Sequence, residues 1–121
     1  MINRNIVYIL HIRDSIIQIE KYVSNLSKVR FLRSEEKQDA IIRRLEVIGE
    51  AVKNISSTFR KKYCEVKWKK IAGFRDVLIH EYFGVNIDLV WEIIRVDVPK
   101  LKKQIDKIIL DNKQEVILID K

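Results

Sequence analysis

With 121 residues, 47% of them apolar and 34% charged, the chain can build one folded core but is too short for two, which excludes both a disordered polymer and a second independent domain. Three glycines and a single proline leave little material for tight turns, so a sheet of hairpins is excluded in favour of helices. The net charge of +7 favours polyanionic partners such as RNA, DNA or acidic proteins, although the basic residues fall in short clusters (Arg43-Arg44, Arg60-Lys61-Lys62, Lys69-Lys70 and Lys100 to Lys103) that also suit a solvated lysine-rich face.

From about Arg4 to Val29, the residues Ile9, Ile12, Ile16, Ile19, Val23 and Leu26 recur at spacings of three and four, predicting a long first helix with one apolar stripe. Ile6 to Leu10 is too short for a signal peptide, and no run in the chain approaches the roughly 18 apolar residues of a membrane span. His11 reads as a surface or packing residue of this helix. Phe31 to Arg33 reads as a link. Ser34, followed by Glu35 and Glu36, predicts the capped start of a second helix, because the dipole favours acids in the first turn. Its stripe of Ile41, Leu45, Ile48, Val52, Ile55 and Phe59 matches the first in length, so the two can pack antiparallel.

Ser56 to Lys67 loses the pattern and reads as a helix end plus a loop. It contains the lone Cys64, which has no cysteine partner for a disulfide or a zinc site; with no membrane span, this points to a cytoplasmic location. Helical spacing returns from Trp68 to about Tyr82 and stops at Phe83-Gly84. Asn86 or Asp88 can cap a fourth helix carrying Val90, Ile94, Leu101, Ile105 and Ile108. Pro99 falls inside that pattern, where it costs about 3 kcal/mol in a regular helix, predicting a kink or break just before it. The tail from Glu115 to Asp120 can extend, pair with a partner or remain disordered. Together these elements predict an all-α single domain over 1–121, with a core over about 4–110 and a C-terminal tail over 111–121.

The third helix breaks its own pattern. Its 100° spacing puts Ile71, Arg75, Leu78 and Tyr82 on one stripe, so a guanidinium interrupts an apolar face. A permanently charged group cannot be buried alone, so Arg75 requires a carboxylate, a phosphate or an exposed interface. One answer is a structural ion pair with Glu46 or Glu50, either of which can instead anchor Lys53. The neighbouring stripe holds Gly73, Asp76, His80 and Gly84. Asp76 can reach His80 four residues on, orienting the imidazole and raising its pKa from about 6.5. Gly73 and Gly84, with Gly49 on the second helix, leave low places for close approach. The plainer reading makes Gly84 a helix stop and His80 a satisfied, partly exposed histidine.

Arg75 and His80 point roughly 140° apart on a regular helix, so one protomer makes a poor Arg–His pair. Two copies about a two-fold axis can bring both pairs to one cleft. That cleft would supply a base, an acid and fixed positive charge, which is what RNA self-cleavage requires without a metal. No third ligand accompanies Glu46 and Glu50 at a spacing that suggests a metal, and no cofactor is expected. Trp68 and Trp91 read as core aromatics, though an exposed indole can stack on a base.

Arg75-x4-His80-x-Tyr82 resembles the Arg-x4-His-x-Tyr signature of the HepT branch of HEPN proteins. The flanks are similar too: Ile48-Gly49-Glu50-Ala51, Trp68-Lys69-Lys70-Ile71, Val85-Asn86, Val90-Trp91 and Val98-Pro99, so that the resemblance covers roughly residues 4 to 110. It implies a four-to-five-helix up-and-down HEPN bundle, a homodimer with an interfacial cleft, and a metal-independent endoribonuclease leaving a cyclic phosphate. By the same resemblance Arg75 binds the scissile phosphate, His80 acts as general acid or base, and Asp76 is a polar supporting residue. It also implies the toxin of a type VII-like toxin–antitoxin system, silenced when an MntA-like nucleotidyltransferase transfers AMP to Tyr82, adding bulk and negative charge beside the RNA cleft. The alternatives are a non-catalytic helical module that presents substrate to a partner nucleotidyltransferase, or a plain dimeric scaffold.

Overall fold

The structure, a computed structural model, describes residues 3–80 and 86–119, excepting the side chains of residues 75 and 77–80. Among the described residues there are helices and no strands. Helix α1 (Arg4–Val23) starts at Asn3, whose Oδ1 accepts from the Asn5 amide at 2.9 Å, and buries Ile6, Ile9, Ile12, Ile16 and Ile19. It ends six residues before the expected Val29, because Asn25 turns left-handed at φ 60° and Ser27 caps a new helix. Serine and asparagine side chains compete locally for backbone hydrogen bonds, which breaks a helix whose apolar spacing still runs on to Leu26.

The new helix, α2 (Lys28–Arg33), takes in the segment expected to be a link. Its Phe31 is completely buried and packs on Trp91 with ring centroids 5.2 Å apart. The Gln38 amide donates to the Phe31 and Leu32 carbonyls at 2.9 and 3.1 Å, satisfying the end of α2.

Helix α3 (Glu35–Lys53) begins where the sequence predicts, with Ser34 Oγ accepting from the Lys37 amide at 3.2 Å. Ile41, Leu45, Ile48 and Val52 face the core, but Ile55 and Phe59 lie beyond its end. Phe59 belongs to a short helix, α4 (Ser57–Lys62), within the stretch expected to be a loop. Two contacts explain it. Ser56 Oγ accepts from the Phe59 amide, and Asn5 of α1 exchanges hydrogen bonds with Ser56 at 2.9 and 3.1 Å. Those bonds bring the start of α1 to the end of α3, so the two helices run antiparallel.

Trp68 opens helix α5 (Trp68–His80) and is buried, its indole N–H shared between the Arg60 and Tyr63 carbonyls at 3.2 and 3.0 Å. The preceding Tyr63 is also buried. Desolvation holds its phenol above the usual value of 10.0, although Asn112 donates to the hydroxyl at 3.1 Å. The expected helix stop at Phe83-Gly84 lies outside the described residues.

Asn86 caps α6 (Ile87–Glu92), accepting from the Leu89 amide at 3.2 Å. The expected disturbance before Pro99 is a π-helical turn (Ile93–Asp97), in which the Val98 amide bonds back to the Ile93 carbonyl. The wider turn lets α7 (Val98–Asp111) restart with Pro99 in its first turn, where a missing amide costs no helical hydrogen bond. The tail folds as α8 (Lys113–Ile119) and buries Val116.

The long helices α1, α3, α5 and α7 form a bundle in which α3 packs on both α1 and α5, and α1 also packs on α7. Lys102 of α7 meets Glu20 of α1 at 2.9 Å, which sets these two antiparallel as well. The short helices α2 and α6 close one end, where Lys28 and Asp88 pair at 3.3 Å. No helix of the described residues is long and apolar enough to cross a membrane.

Candidate functional site

Helix α5 carries three of the four expected site residues: Arg75, Asp76 and His80. It is held by burying Trp68, Ile71 and Phe74, and its opposite face holds positions 69, 73, 76 and 80 by the 100° spacing of a helix. The side chains of Arg75 and His80, and the whole of Tyr82, lie outside the described residues. So does the expected contact between Asp76 and His80.

What the structure does supply is a cation the sequence did not assign to this stripe. Lys53, in the last turn of α3, donates from Nζ to Asp76 Oδ1 at 2.9 Å across the α3–α5 seam. Both side chains are partly open to solvent, at 37% and 49% of full exposure, so the pair contributes at most about 1 kcal/mol to stability. The backbone behind Lys53 is anchored on both sides of the peptide. Val52 is completely buried, and the Arg60 guanidinium donates to its carbonyl.

One turn before Asp76, a Cβ placed on Gly73 would meet nothing within 4 Å. The low place expected there is open within the chain, and Lys69, two turns before Asp76, is exposed on the same face. At the other edge of α5, Lys70 pairs with Asp97 at 3.0 Å, and Lys67 and Lys100 line the same α5–α7 crevice. The surroundings of the motif helix are therefore rich in lysine.

Glu46, one of the carboxylates considered for Arg75, lies 3.7 Å from Arg43 on its own helix. It also lines a groove of about 270 Å³ between α1 and α3 with Tyr8, His11, Glu50 and Asn54. His11 is exposed, with its ring edge-on to Tyr8 at 5.8 Å, as a surface or packing residue of α1 should be. Trp91 is half-buried against Phe31, with the Arg95 guanidinium 5.6 Å from its ring centre. Among the described residues no three His, Cys, Asp or Glu side chains are grouped to hold a metal.

The family model described as "Ribonuclease HepT-like" matches residues 12–108. The chain is 48% identical over 102 residues to "Gamma-glutamylcyclotransferase and putative RNase MJ0434" of Methanocaldococcus jannaschii, a match covering 84% of this chain but 46% of that one, so it spans about half of that relative's length. It is 43% identical over 106 residues to "Putative RNase TTE0752" of Caldanaerobacter subterraneus subsp. tengcongensis, covering 88% of this chain and 95% of the relative. With "Probable ribonuclease HepT" of Thermococcus cleftensis it shares 39% identity over 101 residues, covering 84% and 92%. No solved structure matches the chain significantly.

Proposed function

This chain belongs to the HepT-like ribonuclease family, and from that premise we propose that it is a metal-independent endoribonuclease acting as a homodimer, the toxin of a type VII-like toxin–antitoxin pair. The observation that carries the reading is the motif helix itself. Arg75-x4-His80 stands on α5 beside an open glycine and a lysine–aspartate pair, in lysine-rich surroundings suited to a phosphate chain.

In this mechanism a base takes the proton of a ribose 2′-hydroxyl, whose oxygen attacks the adjacent phosphorus. The P–O bond to the 5′-oxygen breaks, that oxygen takes a proton from an acid, and a 2′,3′-cyclic phosphate remains. His80 serves as the acid or the base, since an imidazole titrates near neutral pH. Arg75 cannot give up its proton under those conditions, so its role is fixed charge and paired hydrogen bonds to the phosphorane oxygens. Because positions 75 and 80 diverge on one helix, the complete set comes from two protomers about a two-fold axis.

Tyr82 follows His80 by two residues. Transfer of AMP to its hydroxyl by an MntA-like nucleotidyltransferase would place a bulky anion beside the cleft and exclude RNA by volume and repulsion. The deciding assay is RNA cleavage in EDTA by the wild type and by His80→Ala. We expect the variant to lose about 10² to 10⁴ of the rate. Equal cutting by both proteins would remove His80 from the chemistry.

A further inference from the structure

We infer that Lys53 is a substrate-phosphate-binding residue of the α5 site, held in place by Asp76 and cancelling the charge of that carboxylate; this rests on the ribonuclease reading above. The problem it solves is electrostatic. A site that must attract a phosphodiester carries Asp76 immediately after Arg75, and an uncompensated carboxylate there opposes both the approach of RNA and the further charge of the phosphorane. The Lys53 ammonium, 2.9 Å from Asp76 Oδ1, offsets that charge.

The geometry suits a ligand better than a strut. An ammonium has three N–H donors, and Asp76 Oδ1 takes one of them, while 37% of the Lys53 side chain remains open to solvent. The flexible four-carbon stem can swing toward a phosphate from a backbone fixed by buried Val52. On the N-terminal side of Asp76 the helix face is low, since nothing lies within 4 Å of a Cβ on Gly73, and Lys69 continues the exposed cationic face two turns away. Single-stranded nucleic acid is held in this way, by cations that follow the backbone.

The experiment measures binding apart from cleavage. A single-stranded RNA with 2′-O-methyl groups, which cannot cyclise, is titrated by fluorescence anisotropy at several salt concentrations against five proteins. These are the wild type, Lys53→Ala, Lys53→Arg, the double variant Lys53→Ala with Asp76→Asn, and Lys102→Ala, which removes an equal charge paired with Glu20 on the α1–α7 side. We expect Lys53→Ala to weaken binding about tenfold and to reduce the salt dependence by about one ion. Lys53→Arg should stay within about threefold of wild type, the double variant should recover only part of the loss because the repelling carboxylate has gone while the phosphate contact is still missing, and Lys102→Ala should stay within about twofold.

Unchanged affinity in Lys53→Ala, with only a shifted melting point, would make the pair a structural strut and overturn the inference. An equal loss in Lys102→Ala would reduce it to bulk charge, and no binding by the wild type would also overturn it. Wild-type protein that binds the analogue with the Lys53 dependence above, yet leaves ordinary RNA uncut, would instead sink the ribonuclease reading and keep the phosphate contact.

Discussion

Gly73 sits in the interior of α5, where glycine costs roughly 1 kcal/mol relative to alanine, and nothing in its own protomer needs the space. Gly73→Ala should therefore raise unfolding stability by about 0.5 to 1 kcal/mol, read by urea titration. A long side chain separates packing from function at the same position. Gly73→Leu should keep the fold, since its Cβ enters open space, but lose RNA cleavage if substrate or a second protomer approaches there. Asp76 teaches a related lesson. Its possible contact with His80 was readable because residues four apart on a helix are neighbours, whereas its observed partner Lys53 lies 23 residues away on another helix. No local rule joins those two positions. Arg75, His80 and Tyr82 were legible as a motif, through their spacing and their resemblance to a family.

Among the helices, the starts were more legible than the ends. Ser34 and Asn86 are short polar side chains immediately ahead of apolar periodicity, and each accepts the expected backbone amide. Replacing Ser34 by alanine should cost about 1 kcal/mol of stability, visible as a lower denaturation midpoint with an unchanged slope. The end of α1 was misplaced because Leu26 keeps the helical spacing and packs on the core from outside the helix. Ile55 and Phe59 continue the stripe of α3 in the same way, although α3 has already stopped. Helices of six residues such as α2 and α4 are too short to show a period, and each buries a single side chain, Phe31 or Phe59. The π-helical turn was visible only through its cause, the proline that follows it.

At the level of the assembled protein, α3 packs on both α1 and α5, so its two edges serve different purposes. One faces the α1 groove at Tyr8 and His11, and the other delivers Lys53 to the motif helix. The proposed two-fold cleft makes a direct prediction: sedimentation equilibrium should give twice the 14.4 kDa chain mass. Mixing Arg75→Ala with His80→Ala protomers should restore part of the activity that each lacks alone, because a heterodimer again holds one intact arginine and one intact histidine at the shared cleft. A chain that sediments at its monomer mass while cleaving RNA would refute the shared site.

Local patterning was sufficient to establish that the chain is helical, where its long helices begin, which stripes of those helices face the core and which helix bears the motif, because those features depend on neighbours three and four residues apart; the buried Phe31, Tyr63 and Val66, in segments read as link and loop, escaped it. The meeting of Lys53 with Asp76, the anchoring of α4 by Asn5 and the openness at Gly73 required the packed bundle. Each depends on distances between segments remote in the chain, set by how whole helix faces bury against one another, and no short stretch of sequence encodes them.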